Sequence, residues 1–107
     1  MADPDSYVLK LRDVIMGRCA FPSPLSAGTS RAPFRPGLGW ELVEPVFQLQ
    51  QGAGPEAQAR YRAARDALSL ALYAPGGALV ETARIDVFAD EKSPTGLMLE
   101  AVVVGRH

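Results

Sequence analysis

The side chains that could do chemistry are few and scattered. His107 is the single histidine and stands last in the sequence. A terminal imidazole is poorly fixed for general base work, and a Ser-His-Asp or Cys-His arrangement has no second histidine to draw on. Cys19 is the single cysteine. One thiol cannot close an internal disulfide, and one Cys with one His falls short of the donor set of a zinc site. Cys19 beside Arg18 reads either as a thiol of lowered pKa or, more plainly, as a small and partly buried residue. Asp86, Asp90 and Glu91 lack the spacing of a calcium loop and read as solvated charges at a strand end. Gly37-Leu38-Gly39 is a bare G-x-G behind a proline, which suits a turn better than a phosphate cradle. Arg84, Asp86 and Glu100 would meet only if two late strands pair. An enzyme built on them ranks third, behind two non-catalytic readings given below. The expectation is therefore no catalytic residue, no cofactor, no metal and no enzyme activity.

Composition narrows the class. The 107 residues are 48% hydrophobic and 21% charged, as expected of one globular domain spanning 1–107. With 11 basic and 12 acidic residues the net charge is −1, so no global field recruits nucleic acid or an anionic membrane. The chain's first residues show no basic and apolar leader, and no apolar run approaches the ~20 residues of a membrane helix. A cytoplasmic protein is expected. A core this small leaves a thin margin of stability and favours oligomerisation.

The elements that must position these residues follow from periodicity. Tyr7, Leu9 and Leu11 alternate like a strand, but Tyr7, Val8, Leu11, Val14 and Ile15 fit one helical arc. With Asp5 or Ser6 as a cap and Gly17 as a stop, the spacing predicts a helix over 6–17. Residues 18–39 hold Pro22, Pro24, Pro33 and Pro36 and predict a long loop. Residues 40–50 are rich in strand formers and predict an edge strand, or two short strands bent at Pro45. Pro55 opens a helix over 56–74, supported by Glu56–Arg60 and Arg62–Asp66 at i,i+4. Residues 79–89 and 97–105 alternate around a polar turn and predict an antiparallel hairpin. The fold class expected is α+β, with a small antiparallel β-sheet carrying two α-helices on one face and element order α-β-(β)-α-β-β.

Candidate contact residues come from the same pattern. The 18–39 loop holds Arg18, Arg31 and Arg35 with no acidic residue, and Phe34 to pin it. Nucleic-acid binding through these arginines is a minor possibility and is not the expectation. Trp40 suits the core, or an interface anchor if exposed. Leu70 lies on a second apolar strip of the long helix, with Ala59, Ala63, Ala67 and Ala74. Val102, Val103 and Val104 are apolar on both faces of the last strand. The candidate interface is thus Arg31, Phe34, Arg35, Trp40, Leu70, Val102 and Val104.

The run Val46-Phe47-Gln48-Leu49, the helix from Pro55 to Tyr73, the strand from Ala83 to Phe88, the acidic turn Asp90-Glu91 and the final strand resemble the tail-terminator and head–tail completion proteins of long-tailed bacteriophages. The opening Leu-Arg-Asp-Val-Ile stretch is similar to that group's first helix. The resemblance lies in element order, not in a diagnostic motif. It implies a homo-oligomer, commonly a hexameric ring, that joins other tail or connector proteins without a cofactor, in the cytoplasm or the virion. The alternative is a small protein-binding or regulatory module, of adaptor or immunity type, that uses the 18–39 loop.

Overall fold

The computed structural model describes residues 6–21 and 27–104. The expectations for residues 22–26 and for His107 lie outside the described residues. The chain runs β1 (Tyr7–Leu11), β2 (Val14–Cys19), β3 (Gly28–Pro36), α1 (Glu44–Gln48), α2 (Pro55–Ala67), β4 (Leu70–Tyr73), β5 (Leu79–Val80), β6 (Thr82–Ala89) and β7 (Leu97–Val103), with short 3-10 turns at Trp40–Leu42 and Leu49–Gln51. The expected α+β sheet with two helices on one face is overturned. The protein is mostly β, a nearly closed antiparallel barrel of seven strands. Their order is β5-β4-β1-β2-β3-β7-β6.

Two corners let so short a chain curl. β3 pairs with β7 from Gly28 to Pro33 and with β2 from Phe34 to Pro36. It leaves one partner where it meets the other, next to Pro33, which has no N–H to give a ladder. The Phe34 carbonyl left behind accepts a 2.5 Å bond from the Thr95 hydroxyl. At the second corner Leu79–Val80 pairs with β4 and Thr82–Ala89 pairs with β7. Glu81 is the hinge, its carbonyl accepting from the Val104 N–H at 3.0 Å. A bulge at 82–84 adds local twist.

Both helices lie beside the free edge of β6. Gln50 donates to the Val87 carbonyl at 2.5 Å, and Tyr61 of α2 donates to Asp86. An aromatic chain ties barrel to helices, with centroid separations of 4.9 Å for Phe34–Trp40, 5.4 Å for Trp40–Phe47 and 6.3 Å for Phe47–Tyr61. Such pairs add about 0.5–1.5 kcal/mol each beyond their burial. Leu9, Met16, Phe34, Leu72 and Leu99 are fully buried and form the centre.

Several local expectations fail for identifiable reasons. The predicted helix over 6–17 is the β1–β2 hairpin. Its turn at 12–13 puts Arg12 at φ 55, a left-handed conformation with no glycine to announce it. A register shift between Leu9 and Lys10 skips Met16 and breaks the alternation. The predicted loop at 18–39 contains β3. The predicted strand over 40–50 is helical, because Pro45 occupies the first turn of α1. The long helix stops at Ala67, and Leu70–Tyr73 is a strand. The predicted hairpin is found between Thr82–Ala89 and Leu97–Val103, with Asp86 opposite Glu100, but Leu79–Val80 pairs with β4 instead, and residue 105 lies outside the described residues. Among the described residues no helix is long and apolar enough to cross a membrane.

Candidate functional site

The outer face of β3, β7 and β6 carries a charge chain that no local stretch reveals. Register places Arg31 opposite Glu100, and Glu100 opposite Asp86. Arg31 Nε meets Glu100 at 2.5 Å, and Arg84 Nη2 meets the other Glu100 oxygen at 3.0 Å. Arg84 Nε reaches Asp86 Oδ2 at 2.9 Å. Arg65 of α2 meets Asp86 Oδ1 at 2.8 Å and Asp66 at 3.1 Å. The series Arg31–Glu100–Arg84–Asp86–Arg65–Asp66 alternates in sign from β3 to α2.

Burial makes the inner end of this chain count. Asp86 is 9% exposed, far from the solvated position its sequence context suggests. A carboxylate that deep needs every lone pair answered, and Tyr61, Arg65 and Arg84 answer them. Burial raises the Tyr61 pKa, and the Asp86 hydrogen bond and charge add to the effect, so the phenol stays protonated. For Arg65, burial acts downward, but the hydrogen bond and charge of Asp86, then those of Asp66, outweigh it and raise the pKa. The structure thus brings Arg84, Asp86 and Glu100 together. Their oxygens are taken by arginines, and a base so engaged has to break ion pairs before it accepts a proton. The open cleft beside them, about 280 Å³ between Leu68, Leu70 and Ala83–Ile85, is where β4 and β6 diverge.

The first corner differs. Arg18 and Arg35 are register partners on β2 and β3, both exposed. They border a cavity of about 140 Å³ with Cys19, Pro33 and Thr95. Cys19 is buried, and desolvation pushes its pKa up to about 12. The thiol is therefore protonated and shielded, not activated.

A third region is apolar and exposed. Leu38 is 99% exposed, Leu42 63%, Val14 44% and Ile15 38%. Gly39 lies so close to β2 that a Cβ there would stand 2.7 Å from both Val14 Cγ1 and the Ile15 carbonyl, so the turn carrying Leu38 and Leu42 lies against the start of β2.

The expected contact residues scatter across these regions. Phe34 and Trp40 belong to the core, at 0% and 6% exposure. Arg31 is held by Glu100, with Phe88 5.9 Å beneath its guanidinium. Leu70 is half-buried in β4 and packs on the core. Val102 is half-buried, while Val104 is exposed beside Leu70, Leu79 and Val80. Among the described residues no ion pair joins Glu56 to Arg60 or Arg62 to Asp66; Arg65 takes Asp66 instead. The apolar surface at Leu38 and Leu42 went unread because Leu38 sits in a glycine turn and Leu42 in an apparent strand. No family model, no curated protein and no solved structure matches this chain.

Proposed function

We propose that the protein is an assembly module that works by protein–protein contact, and that a second copy of the chain is its first partner. The observation carrying this is the exposure of Leu38 and Leu42 on a turn held against Val14 of β2. Large apolar side chains left in water on a turn fixed against a strand suit a contact surface in a small domain. Arg12, Asp13 and Glu41 are exposed close by in sequence and carry both signs. That mixture suits an isologous contact, in which a basic residue of one copy faces an acidic residue of the other. A net charge of −1 sets little repulsion against it.

The ring of the tail-terminator type is one form such assembly could take. The element order behind that resemblance is not the order found here: a β-hairpin replaces the opening helix, and a short helix replaces the strand before α2. Nothing therefore favours a hexameric tail cap over a dimer. The protein-binding alternative uses the same surface with a foreign partner.

Absolute mass by light scattering, measured over a wide concentration range, tests the proposal. A discrete multiple of the monomer that reverts to monomer in Leu42→Asp, with an unchanged circular dichroism spectrum, is expected. A monomer at every concentration would sink self-assembly and leave the surface to another protein.

A further inference from the structure

We propose that Arg18 and Arg35 form a binding site for a phosphate group at the first barrel corner. The two guanidinium groups rise from directly paired positions on β2 and β3. Side chains so placed start from Cβ atoms about 5 Å apart on one face of the sheet. Like charges directly opposite are destabilising, and among the described residues no carboxylate lies within 4.0 Å of either. Arg31, Arg65 and Arg84, further round the barrel, each have a carboxylate at 3.1 Å or closer. Arg12, Arg60 and Arg62 are likewise without a carboxylate among the described residues; Arg18 and Arg35 differ in standing opposite each other across a strand pair.

The cavity they border makes the pair a site. It holds about 140 Å³ and is walled by Pro33, Pro94 and Thr95. The size admits a phosphate group. The position is built: β3 departs from β7 at Pro33, and Thr95 bonds the freed Phe34 carbonyl. Two guanidinium groups balance a phosphate of about −1.5 to −2 at neutral pH, and each offers a planar fork of donors to its oxygens. A singly charged carboxylate would leave one arginine uncompensated.

The probe is inorganic phosphate, titrated at constant ionic strength with chloride as the balancing anion and followed by amide chemical shifts. Saturable shifts confined to residues around Arg18, Arg35 and Thr95 are expected. Arg18→Gln and Arg35→Gln should each weaken phosphate at least tenfold, while Arg62→Gln on the exposed face of α2 leaves it unchanged. Equal shifts with acetate, or equal loss in Arg62→Gln, overturn the proposal in favour of general charge screening. Stability supplies an independent readout. In phosphate-free buffer Arg35→Glu replaces a like-charge pair with an opposite one and should raise Tm by a few degrees, while phosphate no longer shifts it. A lower Tm for a folded Arg35→Glu overturns the argument from repulsion.

Discussion

The two corners of the barrel solve the same geometric problem with opposite electrostatics. At each, a bent segment leaves one sheet for the other and opens a gap. Beyond the Glu81 corner α2 covers the edge of β6, where Tyr61 and Arg65 reach Asp86, while a cleft of about 280 Å³ stays open between β4 and β6. The Pro33 corner has no helix over it; the Thr95 hydroxyl closes its backbone, and Arg18 and Arg35 stand open at its rim. Past the Glu81 corner a buried carboxylate gathers the arginines into ion pairs, whereas the Pro33 corner keeps its cations facing solvent. The comparison separates charge used to hold the fold from charge available to a ligand.

The largest expected effect lies at the helix-covered edge of β6. Asp86→Ala leaves Arg65, Arg84 and the Tyr61 hydroxyl without their shared acceptor, and urea unfolding should show a loss of about 3 kcal/mol. The open corner should break through packing. A methyl at Gly17 would overlap the Phe34 ring and stand 2.5 Å from the Arg35 carbonyl oxygen. Gly17→Ala should therefore cost about 2 kcal/mol, measured in the same way; a neutral result would show that β3 can shift. Alkaline pH sharpens the contrast further. A thiol whose folded pKa is raised contributes stability that is complete below its unfolded value near 9.0 and lost as pH climbs to about 12. Stability should fall by up to about 1.4 kcal/mol per pH unit across that window, with Tyr61 acting in the same direction. Cys19→Ala, whatever its own baseline, should flatten the slope. A slope that levels off well short of pH 12 would place the Arg18 or Arg35 charge against the thiol. The smallest effect is that of Thr95→Val, which removes the hydroxyl bond to the Phe34 carbonyl and should cost about 1 kcal/mol.

What the sequence revealed follows the same division. The hairpin of β6 and β7 was legible because its alternation is unbroken, and the start of α2 because Pro55 marks it. The open corner was not. Arg12 makes a hairpin turn without glycine, and the skipped residue Met16 shifts later side chains to the opposite face, so a strand pair imitates a helical arc. Pro33 and Pro36 look like loop residues, yet each closes one of the two pairings of β3, opposite Met98 and Gly17, where the end of a ladder tolerates a missing N–H. Leu70 reads as helical because Ala67 and Leu68 continue the period of α2; the chain turns extended at Leu68, with ψ 135. The ion-pair chain depends on register across three strands and a helix, which no local pattern encodes. The pairing of Arg18 with Arg35 depends likewise on β3 being a strand at all.

The bent course of β3 also fixes an order of events in folding. Its pairing with β2 closes a short stretch of chain, whereas its pairing with β7 joins Ala32 to Leu99 across most of the sequence. Contacts that distant form slowly, because the intervening chain must be ordered before they repay its entropy. Until β7 arrives, the Gly28–Pro33 edge offers unpaired backbone to any passing strand, the usual start of aggregation. Arg31 and Pro33, a charge and a missing N–H on that edge opposite Glu100 and Met98, are residue types that disfavour such pairing.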